Sequence, residues 1–471
     1  LNWTVSCSSE NSFYLVVTIY QLEVVMSKVT KQAIEEQNTE RVVDQDYPLE
    51  HVPKSARKSL LSISCVLVGF TFFTPTMASG ASLGAAFKFD ELILIITVGS
   101  IILGLYVASL CCIGARTGLT SVLQSKYTFG KAGAKWADII LGGTQVFWYA
   151  ITGEYMGSLF AMALGLDTFG WKVFFILFWG VVMGITALYG VRAMAIVSYV
   201  AIPLMAVLMV IVMVMAIKQA GSMDAIRAIK PSSSMTVTSA ITVIVGTFAS
   251  GGTQAGNWAR FAKTGKTAFI AGLFGFLIGN GVMIFSGMLG GLVFGTGDLI
   301  ELMISMGIVF WALIILTLNI WTTNNATAYA FGMAGAELFH KNNKKPFIIG
   351  GILIALLMAI LGISNYFIPM LNLLGTFVPP LGGAIIGDYF FVSKGRIPKL
   401  EYVTFKTWRV APIIAYILGC AAAYFGGLFN FGMPALQGIL VAMITMPIIH
   451  AIFVKCGLND EHEVAENAEY I

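Results

Sequence analysis

Apolar runs of about 20 residues recur along the whole chain, and few charged residues interrupt them. A helix of about 20 residues crosses the ~30 Å hydrocarbon core of a bilayer. Only 11% of the residues are charged and 57% are hydrophobic, whereas roughly 25% are charged in an average soluble domain. The sequence therefore predicts an all-α membrane protein with twelve transmembrane helices, spans 1 to 12, at about 59–84, 90–113, 136–163, 171–190, 193–217, 236–257, 268–295, 302–335, 347–363, 366–391, 410–427 and 433–453.

The distribution of Lys and Arg predicts how the spans are oriented. Loops on the N-terminal side of the membrane carry 20 of these residues, and loops on the opposite side carry 5. Because cytoplasmic loops hold the excess of cations, we expect both termini in the cytoplasm. The net charge of +4 belongs to these loops, so it indicates topology and not nucleic-acid binding.

The two ends of the chain are polar. Residues 1–52 are predicted to be a disordered cytoplasmic tail, and residues 454–471 a second cytoplasmic tail. Met26 is the first methionine, so residues 1–25 are interpreted as upstream translation or an artefact.

Catalytic and metal chemistry find no support in the sequence. The six cysteines contain no CxxC pair, and no set of His, Cys and carboxylates has the spacing of an active site. We therefore expect neither an enzyme nor a resident cofactor.

Two spans are interrupted by helix breakers. Span 1 contains Pro75 among Thr, Ser and Gly residues, and span 6 contains the pair Gly251-Gly252. An ordinary kink explains either break alone. Breaks in the first and sixth spans are typical of a five-helix unit repeated with inverted topology, with a transport site at the bilayer midplane. The predicted domains are a core at 53–392, made of repeats 53–217 and 236–392, and two further helices at 410–453.

Span 8 carries a polar run inside apolar sequence. Asn319, Thr322 and Thr323 share one helical face, while Asn324 points about 140° away from Asn319. Hydrogen bonding to neighbouring helices is the simple explanation for one such residue. The cluster instead suits a small hard cation, which prefers several neutral oxygens, beside an amide for an uncharged polar solute. Backbone carbonyls freed in span 1 near Phe73 and Thr76 are expected to face it.

Span 3 supplies a second constellation. Gln145 and Trp148 are three residues apart, so an amide and a large flat ring project together. An aromatic residue at membrane depth usually packs in a core. With Phe248 in the break of span 6, the set predicts a slot for a flat neutral ring, with two faces to stack and one amide to read its edge.

At these residues the chain resembles the nucleobase:cation symporter-1 family and, within it, the bacterial cytosine permeases. The resemblance covers about residues 50–455. The motifs that carry it are Ser55-Ala-Arg-Lys58, Gly143-Thr-Gln-Val146 with Trp148, Leu318-Asn-Ile-Trp-Thr-Thr-Asn324, Pro379-Pro-Leu-Gly-Gly383 and Gly387-Asp-Tyr389. The resemblance implies the leucine-transporter fold, two inverted five-helix repeats plus two C-terminal helices, and alternating access.

The resemblance also implies roles for individual residues. Hydantoin-transporting relatives have an Asn and a Trp where this chain has Ala328 and Phe248, so the pocket is not expected to take hydantoins. A base is expected to stack between Trp148 and Phe248 and to be read by Gln145, Asn324 and the backbone from Thr247 to Ser250. A Na⁺ site is implied from the carbonyls of Phe73 and Thr76 with Asn319, Thr322 and Thr323.

The function expected on these grounds is Na⁺-coupled import of cytosine across the bacterial inner membrane by a monomer. The main alternative is a proton-coupled carrier of purines or allantoin-like solutes that uses Glu154, a carboxylate well inside span 3. Gln145 and Glu154 are ~900° apart along a helix, which puts them on opposite faces and disfavours this alternative. A membrane enzyme or a channel is the other class considered, and paired broken helices favour occlusion over an open pore.

Overall fold

The chain is built almost entirely of helices, which a computed structural model describes over residues 47–166, 168–294 and 309–471. Most of the predicted tail 1–52 lies outside these residues, as do residue 167 and residues 295–308, which include the predicted start of span 8. The α-helices in chain order are α1 Leu60–Thr71, α2 Thr74–Ala86, α3 Phe89–Thr117, α4 Ser121–Ala163, α5 Phe169–Leu188, α6 Gly190–Ala220, α7 Met223–Ala228, α8 Val237–Gly246, α9 Ala249–Thr253, α10 Gly256–Ala259, α11 Gly265–Phe274, α12 Gly281–Phe294, α13 Val309–Leu338, α14 Lys345–Ile360, α15 Phe367–Phe377, α16 Pro379–Gly387, α17 Val410–Leu428 and α18 Pro434–Lys455.

Shorter elements connect these helices. The π-helical stretch Gly275–Asn280 joins α11 to α12, and Asp388–Val392 extends α16. Single 3₁₀ turns occur at Lys54–Ala56, Ile363–Tyr366 and Leu400–Tyr402. The two strands are β1 Val403–Thr404 and β2 Glu463–Val464.

The all-α membrane class is confirmed. Within the described residues, seven helical stretches are long and apolar enough to cross a bilayer, and the bent pair α1 and α2 makes an eighth. The helices α8 and α14 are apolar but shorter. The twelve-span count stays a prediction.

Span 1 is broken where the sequence predicts it. Helix α1 ends at Thr71, Phe72 and Phe73 are extended, and Pro75 lies in the first turn of α2. Proline fits a first turn because it has no N–H to leave unpaired there. The two halves are bent by 58°.

Close glycine packing holds α2 against α12. A Cβ on Gly80 would stand 2.2 Å from the carbonyl oxygen of Ile284, and one on Gly287 would stand 2.0 Å from that of Met77. Only glycine allows two helix backbones to come this near, so substitution at either position forces α2 and α12 apart.

Helix α4 begins well before the predicted start of span 3. It runs through Gly130, whose φ of 82° breaks the helical hydrogen bonding. The N–H of Lys131 donates instead to the carbonyl of Lys406, at 2.8 Å. The break therefore ties the start of α4 to the loop before α17.

The predicted C-terminal tail is folded back on this loop. Strand β2 pairs antiparallel with β1, and the backbones of Ile397 and Ile471 bond to each other in both directions. The carboxylate of Asp460 accepts from the N–H groups of Val410 and Ala411, at 2.7 and 3.1 Å. Residues 457–471, here called the C-terminal strap, thus cap the N-terminus of α17.

Candidate cation and base site

The break between α1 and α2 exposes backbone oxygens. The last carbonyls of a helix lack intrahelical partners, and the extended backbone of Phe72 and Phe73 prevents α2 from supplying them. The Phe73 carbonyl accepts from the N–H of Thr76 at 3.0 Å. The carbonyls of Phe70 and Phe72 are contacted by side chains of α13 instead.

Two predicted cation ligands lie against these carbonyls. The Nδ2 atom of Asn319 donates to the Phe72 carbonyl at 2.7 Å. The hydroxyl of Thr323 reaches the carbonyls of Phe70 and Phe72, at 3.2 and 3.4 Å. Both side chains are buried. Spans 1 and 8 therefore meet through the neutral amide of Asn319 and the hydroxyl of Thr323, as the shared face of these two residues predicts.

The other predicted cation ligands make different contacts. The Thr322 hydroxyl donates to the Asn319 carbonyl in its own helix, at 2.8 Å. The Thr76 hydroxyl is buried and has no hydrogen-bond partner within the described residues. The contacts from α13 go to Phe70 and Phe72 and not to the predicted carbonyls of Phe73 and Thr76. Sequence reasoning missed this shift, and the cation set stays a prediction.

Three predicted substrate residues meet at one hydroxyl. The Oγ atom of Ser250 accepts from Gln145 Nε2 at 3.3 Å and from Trp148 Nε1 at 3.1 Å. All three side chains are buried, and the Oε1 atom of Gln145 has no hydrogen-bond partner in the part of the chain that the structure describes. The spacing of Gln145 and Trp148 on α4 thus places both beside the break of span 6. The open acceptor of Gln145 is available to a donor on a solute.

The aromatic residues of the slot are linked by a ring that sequence reasoning assigned only a backbone role. The Phe73 ring lies 5.3 Å from Trp148 and 5.8 Å from Phe248, between centroids, at interplanar angles of 76° and 68°. Both contacts are edge-to-face, a favoured arrangement for aromatic pairs. Phe73 therefore sits at the two surfaces predicted to stack a base. The sequence did contain a signal for this role of Phe73, because the residue stands two positions before Pro75, in the break of span 1.

One predicted reader of the base, Asn324, has its amide engaged by other side chains. The Oδ1 atom of Asn324 accepts from the Thr152 hydroxyl at 2.5 Å, and its Nδ2 faces the sulfur of Met183 at 3.5 Å. The Thr247 hydroxyl donates to the Ile244 carbonyl at 2.7 Å, which leaves the predicted role of the Thr247 backbone a prediction. Thr152 was missed, although it lies one helical turn after Trp148 on the same face.

Glu154 lies away from these groups, as its angular position predicts. Its carboxylate accepts from the N–H and the hydroxyl of Ser364, at 2.9 and 2.8 Å. Lys172 adds an ion pair at 3.5 Å. The carboxylate thus anchors the turn before α15.

Comparison with known proteins gives the family. Residues 51–447 match the family described as permease for cytosine/purines, uracil, thiamine, allantoin. The chain belongs to this permease family. It is 32% identical over 408 residues to the cytosine permease of Escherichia coli strain K12, which covers 86% of this chain and 96% of that protein.

Solved structures establish the fold of this permease. The transporter Mhp1, a nucleobase-cation-symport-1 family member, in a closed conformation with bromovinylhydantoin bound, matches with a TM-score of 0.74 at 17% identity, covering 86% of this chain and 95% of that one. The inward facing conformation of Mhp1 matches with a TM-score of 0.71 at 16% identity, covering 86% and 93%. The resemblance stated from the sequence is confirmed, and so is a multi-pass transporter in place of an enzyme.

Proposed function

We propose that this permease is a Na⁺-coupled cytosine symporter that imports the base by alternating access. We include in the proposal twelve spans arranged as two inverted five-helix repeats plus two helices, a monomer in the bacterial inner membrane, and both termini in the cytoplasm. The identity to a cytosine permease over almost its whole length supports the substrate. The contact between the break of span 1 and α13 supports the coupling ion.

The observation that carries the proposal is the neutral character of this contact. The side chains of Asn319 and Thr323 meet the Phe70 and Phe72 carbonyls without a carboxylate. Neutral oxygens suit a monovalent hard cation. They give a proton no group that titrates near working pH. The buried Thr76 hydroxyl, which lacks a protein partner, is a further oxygen for the ion.

Coupling follows from the order of residues in the break. The carbonyl of Phe72 lies at the proposed ion site, and the ring of the next residue, Phe73, contacts Trp148 and Phe248. An ion that fixes the extended backbone at Phe72 also fixes where the Phe73 ring stands. Linkage requires each ligand to tighten the binding of the other by the same factor.

Base recognition uses the amide of Gln145. Its Nε2 is held by Ser250, which leaves Oε1 as an acceptor for the amino group of cytosine. Uracil has a carbonyl where cytosine has the amino group, so the two oxygens would face each other. The proposed site therefore selects cytosine over uracil.

The test is uptake of radiolabelled cytosine into proteoliposomes with and without a Na⁺ gradient. Cytosine affinity should rise with Na⁺ in the unmodified protein, and Thr323→Ala should abolish that rise while weak binding remains. Thr317→Ala is the matched control, because this hydroxyl bonds to the Leu313 carbonyl of its own helix. A Na⁺ response that survives in Thr323→Ala, or is lost equally in Thr317→Ala, would overturn the proposed ion site.

The proton-coupled carrier of purines or allantoin-like solutes remains the alternative. Its carboxylate, Glu154, already accepts two hydrogen bonds from Ser364 and pairs with Lys172. A transported proton would have to displace one of these donors, so the geometry favours Na⁺.

A further inference from the structure

Beyond the base site, span 6 carries a row of buried polar side chains that face α4. Gln254 follows Ser250 by one helical turn, and its Nε2 donates to the Leu141 carbonyl at 2.9 Å. Asn257 lies three residues further, and its Oδ1 accepts from the N–H of Ser121 at 2.9 Å. Both side chains are fully buried. The row therefore runs along the boundary between span 6 and α4, away from Ser250.

Helix α13 contacts span 6 at Arg260. The hydroxyl of Tyr329 accepts from Arg260 Nη2 in span 6, at 3.2 Å. Asn325 precedes Tyr329 by one turn and so lies on the same helical face. Its side chain is 1% exposed. The four amides Gln145, Gln254, Asn257 and Asn325 are here called the amide row.

Most polar atoms of the amide row are left unsatisfied within the described residues. Among the residues that the structure describes, no partner is found for five buried atoms: Oε1 of Gln145 and Gln254, Nδ2 of Asn257, and both amide atoms of Asn325. Each unmet group costs about 1–3 kcal/mol when no water or solute reaches it. Hydrogen bonding between helices explains the bonded atoms of this row. It does not explain why polar atoms are also left open at Gln254 and Asn257, which follow Ser250 by about one and two helical turns.

The open atoms fit a solute with both donors and acceptors on its edge. They also fit the water that accompanies such a solute, since an ordered water takes two to four polar partners. A charged solute is disfavoured, because the four side chains of the row are neutral. The row leads toward the end of span 6 that carries Arg260, Lys263 and Lys266, which the proposed topology puts at the cytoplasm.

We propose that the amide row lines the route by which the base leaves for the cytoplasm, and that Gln254 is a second base-reading amide, one turn beyond Gln145. This inference rests on the proposed function for its ligand, a neutral nucleobase, and for the topology that puts this end of span 6 at the cytoplasm. When span 6 separates from α4 and α13, the bonds of Gln254 and Asn257 open and their amides face the departing base. Arrival at Gln254 compensates the loss of Gln145, which lowers the barrier to release.

The route is tested by thiol labelling of the full chain with its six native cysteines replaced. Gln254→Cys and Asn257→Cys are compared with Thr253→Cys, whose native hydroxyl bonds to Tyr106 on α3 at 2.5 Å. A membrane-impermeant maleimide is applied to inside-out vesicles without any substrate. Positions 254 and 257 should react at least about tenfold faster than position 253. Equal rates at the three positions would overturn the route.

The role of Gln254 is tested by transport, in case the cysteine variants fold poorly. Gln254→Met keeps the length of the side chain and removes the amide. Equilibrium cytosine binding at saturating Na⁺ should stay within about twofold, while the turnover of net transport should fall about tenfold. Thr253→Val should change neither quantity. Loss of binding affinity with unchanged turnover in Gln254→Met would overturn the second reading amide.

The two proposals fail in different ways. Rapid labelling at positions 254 and 257 that cytosine does not slow would uphold the route and count against cytosine as the ligand. Cytosine transport with unreactive positions 254 and 257 would uphold the proposed function and overturn the route.

Discussion

This permease pairs the buried charges near the C-terminal strap, whereas it leaves many polar atoms of the buried amides near the base site without a partner in the described residues. Arg409 forms a two-point ion pair with Asp388, at 2.8 and 3.1 Å, and both side chains are buried. Its remaining donors reach the carbonyls of Tyr127, Thr128 and Asp460. The amide row is equally buried and leaves five atoms without a protein partner.

The difference follows from the energies involved. An isolated buried charge costs several kcal/mol, so each charge in a stable anchor needs its partner and its hydrogen bonds. An unmet neutral amide costs about 1–3 kcal/mol, which a passing water or solute can offset. A region that must stay closed therefore uses paired charges. A region that must open and exchange partners uses neutral groups.

The largest effect is expected from breaking the charge pair. Arg409→Met leaves the Asp388 carboxylate buried without a partner, so stability should fall by about 3–5 kcal/mol. Thermal unfolding of the purified protein measures this loss. Arg227→Met is the control, because Arg227 and Asp90 are exposed and 3.4 Å apart, a geometry that contributes at most about 1 kcal/mol. Equal losses in the two variants would remove the contrast between anchor and surface pairs.

An intermediate effect is expected from acidification of the strap. The imidazole of His462 donates to the Tyr127 carbonyl at 2.8 Å, since its other nitrogen accepts from the N–H of Lys406. Burial, and then the charge of Arg409, lower the pKa of His462 from 6.5 to about 4. The docked strap therefore resists a proton that the released strap accepts.

The sign of this pH dependence is fixed by the lowered pKa. Docking is fully stable above pH 6.5 and weakens as pH falls toward 4. At pH 5 the loss is about 2 kcal/mol, or roughly 30-fold in the docking equilibrium. Hydrogen exchange at the β1 and β2 amides, compared at pH 7 and pH 5, measures it. His462→Gln should flatten the response, and an unchanged pH response in that variant would assign it to another group.

The sequence predicts the break of span 1 more precisely than the contacts made at it. Span 1 was placed at 59–84 and its halves lie at Leu60–Thr71 and Thr74–Ala86, because proline and glycine act locally. The oxygens that meet α13 depend on the backbone angles of Phe72 and Phe73, which composition does not determine. Sequence reasoning therefore named the Phe73 carbonyl where the structure has those of Phe70 and Phe72.

Side-chain positions on an unbroken helix were predictable for a related reason. Gln145 and Trp148 meet at Ser250 because their spacing fixes a common face. The docking of the strap was not predictable, since a charged terminal segment is usually solvated. Its order depends on contacts with groups that are distant along the chain: the Asp460 carboxylate accepts from Val410, 50 residues away, and His462 donates to Tyr127, 335 residues away.

The smallest expected effects compare the neutral base site with the Glu154 carboxylate of span 3. Gln145→Ala removes the open acceptor, and Trp148→Ala removes a ring at the slot. Each should weaken cytosine binding at least about tenfold, or ~1.4 kcal/mol. Glu154→Gln should leave Na⁺-driven uptake within about threefold, because the amide oxygen can still accept from Ser364. Binding to the purified variants and uptake at equal expression measure both. If uptake instead followed an imposed pH gradient without Na⁺ and vanished in Glu154→Gln, the charged group would carry the coupling and the neutral site would not.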